Sequence, residues 1–162
     1  MSVTVAVAQM DPQLSQVSTN LDRVKALFQQ AWTQGAALVV FPECATTGYG
    51  FDALESAYAV AEEIPGPTTR SLVRMCCEAS EDPAYDGAGP YVVVGLLERG
   101  PKGRVVYNTA VLVGPEGLIG RYRKAHLPLL GVDRFVTPGD TGFEVFETEI
   151  GRIGLVICYD LR

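Results

Sequence analysis

The sequence predicts an α/β domain, and three observations carry that expectation. Residues 3–10 and 36–41 are short apolar runs without helical period, and between them residues 21–31 repeat apolar side chains every three or four positions. Strand, helix and strand in that order make a βαβ unit, which builds a parallel sheet through a right-handed crossover. Two further apolar runs, residues 91–97 and 105–113, flank Gly100-Pro101-Lys102-Gly103, which reads as a hairpin turn. Hydrophobic residues make up 48% of the 162 and charged residues 20%, enough apolar side chain for one core and too little charge for a disordered chain.

Taken in order, Val3, Val5, Ala6, Val7 and Ala8 predict a first, buried strand that Asp11-Pro12 ends. Thr19-Asn20-Leu21-Asp22 fits a capping-box start, and Leu21, Val24, Leu27, Phe28 and Ala31 share one helical face until Gly35. Residues 36–41 form the second strand. Pro42 cannot donate in a central ladder, so the strand ends there and leaves Glu43 at its carboxyl edge. Residues 52–64 and 68–80 read as helices around Pro65-Gly66-Pro67, and residues 81–90 as a loop. A turn at residues 113–117 leads into a strand at 118–122, and residues 129–142 form a long loop with little periodicity. Residues 143–146 and 150–158 return to the core. There Ile153, Leu155, Val156 and Ile157 predict a strand buried on both faces that breaks into Tyr159-Asp160-Leu161-Arg162. The Cys158 thiol therefore stands at the carboxyl end of a core strand, where open α/β sheets carry reactive groups.

Charge and cysteine usage remove several classes of function. The net charge of -6, with no block of Lys or Arg, argues against duplex nucleic acid and anionic membranes as partners. The N-terminus has no charged segment followed by a long apolar core, and no apolar run approaches the roughly 20 residues of a membrane helix, so a cytoplasmic address is expected. The four cysteines have no CxxC spacing and include one adjacent pair. They support neither a disulfide framework nor a zinc site, and no metal or cofactor is expected. Tyr49, Cys44 and the Cys76-Cys77 pair read as core or loop residues.

Three strand ends offer Glu43, Lys124 and Cys158. Alone, Glu43 is either a solvated loop residue or a buried carboxylate with a raised pKa, Lys124 is one charge of a solvated basic strand end, and Cys158 is a structural thiol or a reactive one. Converging, a carboxylate, an ammonium and a thiol make a nucleophilic catalyst. A free thiol is only a few per cent thiolate at neutral pH, so Glu43 can take its proton while Lys124 favours the thiolate and stabilises an oxyanion. The single histidine, His126, is two residues from Lys124 and on an extended strand points the same way, which leaves a Cys-His dyad open.

Three stretches carry a family resemblance: Phe41-Pro42-Glu43-Cys44-Ala45-Thr46-Thr47-Gly48-Tyr49, Arg121-Tyr122-Arg123-Lys124-Ala125-His126-Leu127-Pro128, and Gly154-Leu155-Val156-Ile157-Cys158-Tyr159-Asp160-Leu161-Arg162. Together, and in this order, they resemble the three catalytic blocks of the nitrilase superfamily of carbon-nitrogen hydrolases. The resemblance implies an α-β-β-α sandwich that pairs into a homodimer or higher homo-oligomer. It implies Glu43 as general base, Lys124 as electrostatic stabiliser and Cys158 as nucleophile of acyl transfer through a thioester, with the Tyr159 backbone N–H sharing the oxyanion. The Cys-Tyr-Asp-Leu-Arg ending resembles amidase branches, which implies a small amide as substrate, with a nitrile as the alternative. Asp133 stands nearest the place of a second glutamate that many members carry in the loop after the lysine. Residues 1–162 correspond to the N-terminal part of one such domain, so the sandwich is expected to be incomplete at its C-terminus. The competing class is a non-catalytic remnant or interaction module that keeps the residues without a closed pocket.

Overall fold

The two opening strands pair side by side as the βαβ pattern requires. In the computed structural model, which describes residues 2–83 and 88–162, β1 (Val5–Val7) and β2 (Leu38–Val40) are parallel and joined by α1 (Val17–Trp32). The helices α2 (Leu54–Val60) and α3 (Pro67–Ser80) follow. Pro67 takes the first position of α3, where its missing N–H costs nothing, and the Gly66 N–H donates to Thr69 Oγ1 at 2.7 Å. Residues 84–87, the centre of the loop expected at 81–90, lie outside the described residues.

β3 (Tyr91–Arg99) returns parallel to β2, and β4 (Val106–Gly114) and β5 (Gly117–Arg123) add antiparallel strands through tight connections. Among the described residues the sheet runs β1-β2-β3-β4-β5. Alternation along β3 separates two cores. Val92, Val94 and Leu96 pack with Val24 and Phe28 of α1 and Leu72 and Cys76 of α3. Tyr91 and Val93 pack on the opposite face with Leu112, Tyr122, Leu155 and Ile157. That second core is covered by a two-stranded antiparallel sheet, β6 (Val145–Thr148) and β7 (Gly151–Gly154), whose Phe146 and Ile153 face inward. Helices, five-stranded sheet and two-stranded sheet stack as α-β-β, matching the expected α/β sandwich; each fully buried Leu, Val or Phe contributes roughly 1.5–3 kcal/mol.

Several expectations are corrected. β1 is not buried: it is the edge strand of the sheet among the described residues, and while Ala6 packs on the helix side, Val5 and Val7 on the other face are 52% and 81% exposed. Helix α1 starts at Val17, and its N-cap Gln16 makes no side-chain cap. Asn20, expected in a capping box, instead donates Nδ2 to the Gln13 and Thr46 carbonyls at 2.7 and 3.0 Å. The helix expected over residues 52–64 shortens to α2, because Glu62 leaves it to bridge Glu98 on the edge of β3. The last strand is not a core strand buried on both faces. Among the described residues β7 pairs with β6 alone, and beyond it Leu155 and Ile157 point inward while Val156 is exposed. Likewise Phe143, expected in the core, is exposed. The basic end of β5 is not solvated: Arg123 and Lys124 are both buried, each facing carboxylates.

Candidate active site

The first functional side chain is aimed by a turn that fits only against a glycine. The Phe41 N–H still reaches the Val93 carbonyl at 2.8 Å, and after Pro42 the chain reverses, with the Thr47 and Gly48 N–H groups both donating to the Cys44 carbonyl. Cys44 takes a left-handed backbone, φ 51°. The turn lies flat on β3 at Gly95, where a Cβ would fall 2.5 Å from the Cys44 nitrogen and 2.6 Å from the Pro42 oxygen. Asn20 ties the same turn to α1 through Thr46. The carboxylate this turn presents is Glu43.

Lys124 follows β5 directly. Its N–H donates to the Asn108 carbonyl and its carbonyl accepts from Gly139, both at 2.8 Å. The side chain is fully buried, and its Nζ donates to Glu43 Oε1 at 2.6 Å and Asp133 Oδ2 at 2.5 Å. Asp133 sits in a 3-10 turn, Gly131–Arg134, and is likewise fully buried. It also accepts from Tyr49 Oη at 2.9 Å and Asn108 Nδ2 at 3.0 Å. Burial pulls the Lys124 pKa down, but its hydrogen bonds to Asp133 and Glu43 and their charges outweigh that and leave it raised. Lys124 is therefore a fixed ammonium.

Cys158 opens a second 3-10 turn, Cys158–Leu161, with a left-handed φ of 49°. Asp160 pins that turn, accepting from the Ile157 N–H at 3.2 Å and from His126 through its backbone N–H at 2.8 Å and Nδ1 at 3.0 Å. The thiol is exposed and lies near enough to Glu43 and Lys124 for both of their charges to act on it, with the Tyr159 backbone beside it. Burial of the sulfur and the Glu43 charge raise its pKa; the Lys124 charge opposes them and is outweighed. The resting group is a thiol rather than a preformed thiolate.

Glu43, Lys124, Cys158, Asp133 and the Tyr159 backbone N–H are thus gathered in one place. His126 is not among them: its side chain is 57% exposed and committed to Asp160, because residues 124–128 are not a strand and the two side chains diverge. Sequence reasoning missed Asn108 and set Tyr49 aside. Tyr49 lies within one of the three stretches that carry the resemblance; Asn108, in the middle of a hydrophobic strand run, is a polar residue where an apolar one was due. Among the described residues no group of three or more His, Cys, Asp or Glu side chains is arranged to hold a metal ion. Between Glu43 and Asp133 the positive charge is the Lys124 ammonium. Among them, too, no helix is long and apolar enough to cross a membrane.

A thiol, a nearby carboxylate and a buried ammonium can perform nucleophilic acyl transfer. A family model described as carbon-nitrogen hydrolase matches residues 4–162. A protein named nitrilase from Pyrococcus abyssi (strain GE5 / Orsay) is 42% identical over 159 residues, covering 98% of this chain and 56% of that protein. The human omega-amidase NIT2 is 34% identical over 171 residues, covering 99% and 56%, and that of Xenopus tropicalis is 35% identical over 154 residues, covering 90% and 51%. The chain spans about half the length of these curated relatives.

Proposed function

The chain belongs to the carbon-nitrogen hydrolase family, and on that premise we propose that it carries the site of an amidase acting on a small amide. The observation that carries this reading is the buried Lys124 ammonium held between Glu43 and Asp133, with the exposed Cys158 thiol near enough for the Glu43 and Lys124 charges to act on it. Residues 1–162 are read as part of one hydrolase domain, in a protein that works as a homo-oligomer.

Glu43 takes the thiol proton as the sulfur attacks the amide carbon. The carbonyl oxygen becomes an oxyanion, held by Lys124 Nζ and the Tyr159 N–H. Collapse of this intermediate breaks the C–N bond, Glu43 returns the proton to the departing nitrogen, and ammonia or an amine leaves a thioester on Cys158. Water then gives a proton to Glu43 as it attacks the thioester; the C–S bond breaks, Glu43 returns the proton to the departing sulfur, and the acid leaves. Asp133, out of the reaction path, keeps Lys124 aimed. A nitrile, whose carbon the same thiol would attack, is the second reading, favoured by the name of the Pyrococcus abyssi relative.

The test is ammonia release, with intact-mass detection of the acyl adduct, across a panel of small primary amides and their matching nitriles. Amides are expected to turn over, and Glu43→Gln and Lys124→Ala each to cost at least about 100-fold, while His126→Ala leaves the rate unchanged. Turnover of nitriles alone would replace the amide reading with the second one. Loss of rate in His126→Ala with none in Lys124→Ala would overturn the mechanism.

A further inference from the structure

The mechanism above leaves one buried polar side chain at the site without a part. Asn108 lies in the middle of β4, is fully buried, and is opposite Leu97 of β3. An amide there has two N–H donors and a carbonyl to satisfy. One donor goes to Glu43 Oε1 at 2.7 Å and the other to Asp133 Oδ1 at 3.0 Å. The Oδ1 end accepts from the Cys44 thiol at 3.7 Å, and the backbone carbonyl accepts the Lys124 N–H. A flipped amide would put its oxygen against two carboxylates, so the orientation is determined by its neighbours.

The oxygens can be counted. Both oxygens of Asp133 are engaged, Oδ1 by Asn108 and Oδ2 by Lys124 and Tyr49. Glu43 differs: Lys124 Nζ and Asn108 Nδ2 both bind Oε1. Two donors on one carboxylate oxygen lock the rotation of the group and leave Oε2 for a third partner. We infer that Asn108 is a positioning residue that, with Lys124, saturates Oε1 and so selects Oε2 of Glu43 as the atom that takes the Cys158 proton. The inference rests on the amidase reading. Without Asn108, Glu43 would pivot on its single bond to Lys124 and turn Oε2 away from the thiol, while Asp133 still holds the ammonium.

The test uses the rate at which iodoacetamide alkylates Cys158 in the full chain, located by peptide mass mapping. The groups that face the amide are Glu43, Asp133 and Cys44, with Lys124 and Tyr49 one bond beyond. Asn108→Leu, close in shape but without donors, is expected to slow alkylation at least about 10-fold, with native circular dichroism. Thr109→Val, on the same strand but bonded to Glu98, is expected to label at the wild-type rate and so controls for weakening of β4. In Asn108→Asp the introduced carboxyl donates only when protonated, so its rate relative to wild type should climb as pH falls from 9 to 6. A slow Glu43→Gln beside an Asn108→Leu at full rate would sink the inference and leave the amidase reading standing. A Glu43→Gln at full rate would sink both. Should Asn108→Leu not fold, the pH series of Asn108→Asp decides, and a flat ratio rejects the proposal.

Discussion

Replacing Gly95 by alanine probes how the sheet aims the candidate base. Gly95 is interior to β3 and its φ is not positive, so the substitution tests space alone. The added methyl would fall 2.5 Å from the Cys44 nitrogen, 2.6 Å from the Pro42 oxygen and 2.9 Å from the Glu43 carbonyl carbon, whereas ordinary contact begins at 3.4 Å. The obstructing atoms are backbone, so no side chain can swing aside, and the Glu43 turn must lift by roughly 1 Å. Overpacking of this kind costs about 1–3 kcal/mol of stability. A displacement near 1 Å at a reacting group costs about 100-fold in rate. Urea unfolding reads the first effect and alkylation of Cys158 by iodoacetamide the second, with Gly50→Ala as a control because nothing lies within 4 Å of that site. Wild-type stability and labelling in Gly95→Ala would refute the claim that close approach at this glycine sets the position of Glu43.

Two further outcomes follow from buried groups outside the site. Glu98, with a side chain only 2% exposed, accepts from Thr109 at 2.9 Å, Arg121 at 2.7 Å and Arg123 at 2.9 and 2.5 Å. Glu98→Gln keeps the shape but strips the buried Arg123 of its main counter-charge, and should cost about 3–5 kcal/mol in urea unfolding; a loss below about 1 kcal/mol would show that the cluster behaves as a surface pair. Cys76 is fully buried, and burial pushes its thiol from an ordinary 9.0 up to about 12. The folded state thus keeps a proton that the unfolded state releases, so this contribution is intact below pH 9 and lost between 9 and 12, at up to about 1.4 kcal/mol per pH unit. Unfolding free energies of Cys76→Ala measured from pH 8 to 10 should fall less steeply than those of the wild type, and parallel slopes would contradict the assignment.

What is legible in the sequence, and what is not, divides along a physical line. The βαβ unit and the hairpin were legible because period and turn chemistry are local, and they appear as β1-α1-β2 and β3-β4. The breakdown of the last strand was not, since an apolar run such as residues 153–157 does not say how many neighbours it has; among the described residues β7 pairs with β6 alone. Charge was misread for a related reason. Arg123 and Lys124 look solvated in a row of basic residues, yet their partners Glu98, Glu43 and Asp133 come from elsewhere in the chain and face them only once the sheet has formed. Asn108 and Tyr49 escaped notice because their value lies in those same carboxylates, which sequence spacing does not bring together.

The charge count of the site links the two halves of the proposed chemistry. At rest Lys124 is shared between Glu43 and Asp133, so its ammonium is neutralised from two sides. The Cys158 proton is held more tightly than in a free thiol; in the proposed step it passes to Glu43, which on accepting it ceases to be an anion. In that step the ammonium is left with one carboxylate, Asp133, and an N–H freed from Glu43 at the moment the carbonyl oxygen gains charge. Net charge across the site is conserved through the step, which suits a group as buried as Lys124 because no ion has to be created without a partner. Asp133, with both of its oxygens engaged, is the group that in the proposed step would keep the ammonium in place while Glu43 lets go. On this reasoning Asp133→Asn should depress acyl transfer more than it depresses alkylation of Cys158 by iodoacetamide, since alkylation forms no oxyanion. Equal losses in the two reactions would mean that Asp133 acts on the thiol rather than on the ammonium.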